Sequence, residues 1–192
     1  YRAMTNPEDF WESHPVDGML WLEDALPDIP RVFRRTRKGK GGEIAVLRDV
    51  SLSMAGRSSR WVSMVIVGLL EIVRKARMRV GYVEFNHESH KYLSQGKFFS
   101  QDYTGLSERA KDCCCVGLTN YQAPLSAAIE EFSRKISLRR HVVFLTDGLP
   151  TDGDPEVRQE LALAREGNIS IHSVFIGRRK PPPILRIISQ KT

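Results

Sequence analysis

No stretch of this sequence stays apolar for anything like the roughly 20 residues that cross a bilayer. The opening residues also lack the charged, apolar and small-residue order of a secretory signal. The visible chain is therefore expected to be soluble, with no membrane segment. Cysteine is equally scarce: the three present are consecutive, Cys113, Cys114 and Cys115. They offer no long-range staple and lack the two-residue gaps of a thiolate zinc site. That usage favours a reducing, intracellular setting, with the three cysteines expected to act as small apolar fillers near a loop. Also missing are a Gly-x-Ser-x-Gly elbow and a phosphate-binding glycine loop ending in Lys-Ser or Lys-Thr. The histidines His14, His87, His90, His141 and His172 show no metal-spaced helix pair, so structural roles are expected of them.

What is present suits one domain with an extension: 192 residues, 41% of them hydrophobic. The chain opens on Tyr1 rather than Met and reads as a piece of something longer. The net charge of +6 gathers in clusters at Arg31–Lys40, Arg74–Arg79, Arg134–Arg140 and Arg178–Lys180. Acidic partners fit such clusters. The middle two fall where helices should end, however, and cations suit helix C-termini. Residues 1–42 form an N-terminal extension and basic linker. Pro7, Pro15, Pro27 and Pro30 interrupt regular structure there, and Trp11 and Trp21 argue that the extension packs on the domain. A nucleic-acid role for the basic linker lacks an aromatic stacking platform or a reading motif, and nucleic acid is not the expected partner.

Residues 43–192 alternate. Ile44–Leu47 is a short apolar run of the kind buried on both faces of a parallel sheet. A helix is expected over Ser58–Ala76, largely buried through Trp61, Val65, Leu69, Ile72 and Val73, with Gly68 allowing close approach to the sheet. Val80–Phe85 reads as a strand, Lys91–Ser94 as an edge strand, and residues 95–118 as a long polar connection. Leu125, Ile129, Phe132 and Ile136 form a second helical stripe before the strand Val142–Thr146. Asp154-Pro155 is a strong helix start, Gly167 a left-handed stop, and Ile169–Ile176 the next strand. Pro181 to Pro183 precede a final helix. The pattern predicts an α/β fold, a doubly wound, mostly parallel open sheet with helices on both faces.

One constellation carries chemistry. Asp49, Ser51 and Ser53 recur at every second residue directly after the first strand, which in extended backbone sets their oxygens on one side. They then project from the C-terminal edge of the sheet, where open parallel sheets hold ligands. Carboxylate and hydroxyl oxygens are hard donors suited to Mg²⁺, with Mn²⁺ or Ca²⁺ as other choices. The alternative is that the serines cap the following helix while Asp147 opens a turn. An Asp ending a first strand also begins phosphatase-type motifs, but these need a second acid two residues later, where Ser51 stands. An enzyme is therefore not expected. Asp152 and Asp154 are assigned turn and capping duties.

Together, Asp49-x-Ser51-x-Ser53 after a strand, Gly117-Leu-Thr119-Asn before a helix, and Thr146-Asp147-Gly148 ending a strand resemble the von Willebrand factor A family and its metal-ion-dependent adhesion site. The resemblance implies a Rossmann-like fold over residues 43–192. It implies Ser51, Ser53 and Thr119 as metal ligands, with Asp49 and Asp147 binding directly or through water. It further implies a partner protein whose Asp or Glu completes the coordination shell. Intracellular relatives act as adaptors, some beside ring-forming ATPases such as magnesium chelatase, so an ATPase-type partner is one expectation. The chain departs from the family at Leu118, where many relatives carry a second Gly, and at Arg48, where an apolar residue is common. Arg48 is a candidate to compete for the Asp49 carboxylate as an ion pair.

Overall fold

The computed structural model describes residues 41–132, 139–177 and 180–189. All lie in the unit Gly39–Thr192, one of two into which the chain divides. Expectations for Trp11, Trp21, the basic linker through Lys40, Ile136 and most of the cluster Arg134–Arg140 lie outside the described residues.

Five strands form one sheet: β1 (Gly42–Asp49), β2 (Arg79–Phe85), β3 (Ser89–Tyr92), β4 (Arg139–Thr146) and β5 (Ile169–Phe175). Their spatial order is β3-β2-β1-β4-β5. β1 pairs in parallel with both β2 and β4, β4 with β5, and only β3 runs antiparallel. Every residue of β1 is buried, as the centre of a sheet covered on both faces requires.

The alternation of side chains along the strands builds two apolar layers. Ala45, Leu47, Val83, Phe85, Val142, Phe144 and Ile171 face one way. They are covered by α3 (Gln122–Glu131), α4 (Arg158–Glu166) and α5 (Pro183–Ser189). Ile44, Val46, Val80, Tyr82 and Leu145 face the other, under α1 (Arg57–Lys75) and α2 (Tyr103–Lys111). Gly81 admits the Phe98 ring over β2: a Cβ there would lie 2.2 Å from it. The doubly wound α/β arrangement expected from the sequence is the one observed.

Several details differ. α1 buries Val62, Ile66, Leu70 and Val73, whereas Trp61 and Ile72, expected inside, are 44% and 66% exposed. Two apolar stripes share this helix, and the one carrying Ser59 and Ser63 is turned inward, because both hydroxyls bind Arg48. Gly68 faces open space rather than the sheet. The edge strand starts two residues before the expected Lys91.

Residues 95–118 are not simply a polar connection: they hold α2 and the buried Phe98 and Phe99. Asp102 caps α2 by accepting from the Gly105 N–H at 3.0 Å. α4 starts at Arg158 rather than at Asp154-Pro155, because Asp154 closes a local turn onto the Glu156 N–H at 3.0 Å. The residue before α4 is the fully buried Val157, held left-handed at φ 44°. At the other end of α4, Asn168 takes the left-handed conformation expected of Gly167, with φ 51°; asparagine tolerates that region better than most side chains.

Candidate metal centre

Asp49 ends β1 and Thr146 ends β4, the neighbouring strands from which the chain departs to opposite sides. That crevice is the switch point at which open α/β sheets bind ligands. The Asp49 carboxylate is wholly buried and held on both oxygens. Oδ1 accepts the Ser51 N–H at 2.8 Å, and Oδ2 accepts the Thr146 hydroxyl at 2.6 Å. Ser51 Oγ lies 3.1 Å from Ser53 Oγ, and the Ser53 hydroxyl donates to Asp147 Oδ1 at 2.8 Å. Four predicted residues thus join in one chain of oxygens. Asp49 and Ser51 form its buried floor, and the exposed Ser53 stands with half-buried Asp147 at its mouth.

Thr119, the fifth, is placed differently. The turn at Gly117, at φ 81°, leads into it, and a Cβ at Gly117 would fall 2.6 Å from His87 Nδ1. The Thr119 N–H donates to Thr151 Oγ1 at 3.0 Å, and its carbonyl accepts the Thr151 and Asp152 N–H groups. Its main chain is therefore tied to the loop after β4, and the hydrogen-bonded chain from Asp49 to Asp147 does not include its hydroxyl.

Arg48 does not compete for Asp49. Successive strand residues point to opposite faces, so the guanidinium enters the α1–α2 layer. There it donates to Ser59 O and Oγ, Ser63 Oγ and the Ala110 carbonyl.

Sequence reasoning left three supporting groups unassigned. The Thr146 hydroxyl orients Asp49. Tyr121, fully buried, donates to the Gly148 carbonyl beneath the mouth. Asn86 donates to the Val116 carbonyl at 3.0 Å and accepts the Asn120 N–H on its own carbonyl at 2.7 Å. Thr146 stood within a recognised motif; Tyr121 and Asn86 gave no signal beyond being polar residues beside one.

Burial pushes the Asp49 carboxyl above its ordinary value, against the lowering hydrogen bonds from Thr146 and Ser51, and the Asp147 charge adds to the rise. Burial likewise pushes Tyr121 up to about 12, with Asp49 and Asp147 contributing. Two carboxylates therefore raise a negative potential over a partly dry floor, an environment that a cation relieves. No group of three or more His, Cys, Asp or Glu placed to hold a metal ion occurs among the described residues. The donor set rests instead on hydroxyls with two acids, which excludes the thiolate and imidazole sites of soft metals and fits a hard one.

Leu52 at 67%, Leu118 at 57% and Leu149 at 59% exposure stand on the same loops as Ser51, Thr119 and Asp147. The mouth therefore has an apolar rim.

Comparisons with known proteins agree with this architecture. Residues 43–192 match the model of the von Willebrand factor type A domain. Among solved structures, the conserved hypothetical protein BatB from Bacteroides thetaiotaomicron is similar at 19% identity and a TM-score of 0.61. That match covers 71% of this chain and 67% of the other. A von Willebrand factor type A protein from Catenulispora acidiphila superposes at 19% identity and 0.65 over 78% of this chain and 36% of its own. Proximal thread matrix protein 1 from the mussel byssus, solved with a zinc-occupied MIDAS motif, does so at 18% and 0.65 over 80% and 40%. This chain spans only between a third and two fifths of the length of those last two. No curated protein matches. With the sheet order, the two helical layers and a family match over residues 43–192, the chain belongs to the von Willebrand factor type A domain family.

Proposed function

We propose that this domain is a divalent-cation-dependent protein-interaction module rather than an enzyme. In this reading Asp49, Ser51, Ser53 and Asp147 hold a Mg²⁺-class ion, and Thr119 joins when its loop moves. The observation that carries the reading is the oxygen chain across the β1–β4 crevice. Its steps of 3.1 and 2.8 Å match the roughly 2.9 Å that separates neighbouring ligands around an octahedral ion with bonds of about 2.0–2.1 Å. Ca²⁺, with bonds of about 2.3–2.6 Å, needs a wider set. The mussel protein's zinc-occupied motif supports a divalent metal in such a domain; it does not decide which metal.

Bound there, the ion retains positive charge and open coordination positions that water or a partner carboxylate fills. The apolar rim of Leu52, Leu118 and Leu149 favours a partner acid flanked by apolar side chains, since desolvated apolar anchors around a polar contact are what make an interface bind. Isothermal titration with Mg²⁺, Mn²⁺ and Ca²⁺ tests the metal. The native protein is expected to bind Mg²⁺ or Mn²⁺ more tightly than Ca²⁺, while Asp49→Ala and Ser51→Ala lose binding; equal binding in all three proteins refutes the site. Capture of a partner in Mg²⁺, its loss in EDTA, and its weakening in Leu118→Ser test the recognition mode.

A further inference from the structure

The segment Cys113–Cys115 leaves α2 and runs directly toward the metal loop. The Val116 N–H donates to the Val50 carbonyl at 2.8 Å, and the Leu52 N–H donates to the Gly117 carbonyl at 3.2 Å. Side chains two residues apart in extended backbone share a side. Accordingly Cys113 Sγ and Cys115 Sγ lie 3.9 Å apart and half-buried, while Cys114 is exposed. Ser59 Oγ sits 3.1 Å from Cys113 Sγ and accepts from Arg48 at 2.9 Å, which sets a fixed cation behind the sulfurs. The thiolate is the nucleophile in disulfide exchange.

We propose that Cys113 and Cys115 form a reversible dithiol–disulfide pair whose redox state sets the conformation of the segment lying against Val50 and Leu52. The co-reactant is a low-molecular-weight disulfide of the glutathione type. The Cys113 thiolate attacks one of its sulfurs, forming a mixed disulfide and expelling the first small thiolate. The Cys115 thiolate then attacks Cys113 Sγ, closing the protein disulfide and expelling the second. Two protein thiols are oxidised, one small disulfide is reduced to two thiols, and the protons balance through solvent. Burial pushes the Cys115 thiol up, which suits the slower, resolving role.

Closing so small a loop removes little chain entropy from the unfolded state, so the bond is a weak staple and is readily reduced. It also requires movement. Extended residues two apart span about 6.6–6.8 Å between Cα atoms, at the long limit of the about 4.4–6.8 Å that disulfides span and beyond the about 5.5–6 Å they favour. Closing the sulfurs from 3.9 Å to the about 2.05 Å of a disulfide draws the segment inward, and the Val116–Val50 hydrogen bond beside Cys115 is the one expected to yield.

The test equilibrates the 192-residue chain in graded glutathione buffers, traps free thiols by alkylation and reads the sites by mass spectrometry. Cys113 and Cys115 are expected to lose alkylation together while Cys114 keeps it. Cys114→Ser behaves like the native protein, and Cys113→Ser or Cys115→Ser stops at a glutathione adduct. Hydrogen exchange at the Val116 amide is expected to be faster in the oxidised form. A bond involving Cys114, or three thiols that titrate independently, overturns the pairing. Identical Val116 exchange in both forms overturns the conformational coupling. None of these readouts depends on whether a cation binds.

Discussion

Adjacent residues Arg48 and Asp49 are both fully buried and point to opposite faces of β1. Arg48 is a structural charge: its two terminal nitrogens bind Ser59, Ser63 and Ala110 while its buried Nε has no partner among the described residues, tying β1 to the start of α1 and the end of α2. Arg48→Met keeps the volume but removes the donor shared by Ser59 Oγ and Ser63 Oγ, at about 1–3 kcal/mol, while the Ser63 hydroxyl still reaches the Ser59 and Ala110 carbonyls. Urea denaturation is expected to show a loss of about 1–3 kcal/mol.

Asp49 is the opposite case. Its carboxyl binds protons more readily in the fold than in the unfolded chain, so the cation-free fold loses stability as pH rises through that elevated value. Asp49→Asn is therefore expected to raise the cation-free melting temperature at pH 7 while abolishing the increment that Mg²⁺ gives the native protein. Differential scanning fluorimetry with and without EDTA separates the two effects. A fall in both temperatures contradicts the reading. Arg48's role could not be assigned from charge and spacing alone. Which face of β1 each occupies does follow from alternation, and that alone removes the expected pairing of Arg48 with Asp49.

At the scale of elements, the strands and the two sides of the sheet were legible because apolar runs bounded by turns leave few other choices. α1 shows the limit: Trp61, Met64 and Ile72 make as good an apolar stripe as Val62, Ile66 and Leu70, and periodicity cannot rank them. The buried Arg48 decides, since only the second face also presents Ser59 and Ser63 to it. Ile66→Ala is accordingly expected to cost about 2–5 kcal/mol and Ile72→Ala no more than about 0.5 kcal/mol, as measured by chemical denaturation. α2 escaped notice because its burial rests on only Leu106 and Ala110.

Strands β4 and β5 set His141 Nδ1 3.2 Å from His172 Nε2, a contact that needs at least one neutral ring. His172 lies in the strand as expected, yet its side chain is exposed. Burial, then the charges of His172 and Arg139, hold His141 below its ordinary value. A depressed histidine takes up protons more weakly folded than unfolded, so stability present above about pH 6.5 declines as pH falls through that value. His172→Gln is expected to narrow the melting-temperature difference between pH 7.5 and pH 5.5.

For the whole molecule, the parallel order about β1 gathers the loops after β1 and β4 at one edge, with the Thr119 turn tied to the loop after β4. That Asp49, Ser51, Ser53 and Asp147 meet at one crevice could be read from the chain because each residue sits at or just after a strand end. Thr119 could not be placed, because its position depends on Thr151, Asp152 and Asn86, whose backbone and side-chain pairings carry no periodic signal. If the crevice binds Mg²⁺ only when folded, a free concentration about 100 times Kd adds about 2.7 kcal/mol of stability. That corresponds to a rise of about 5–10 °C for a domain of this size.

The hydrogen bond from Thr146 to Asp49 joins residues 97 apart in the sequence, and this separation has a meaning in time. The crevice does not exist until β1 and β4 have met, and the loops at its rim close after the strands beneath them. Interactions absent from the folding transition state act on the rate of leaving the native state. Mg²⁺ is therefore expected to leave refolding rates unchanged and to slow unfolding by the whole binding factor, about 100-fold at the concentration above. Stopped-flow urea jumps with and without the cation measure both limbs, and the proposed ion would act as a latch fitted after assembly rather than a template for it.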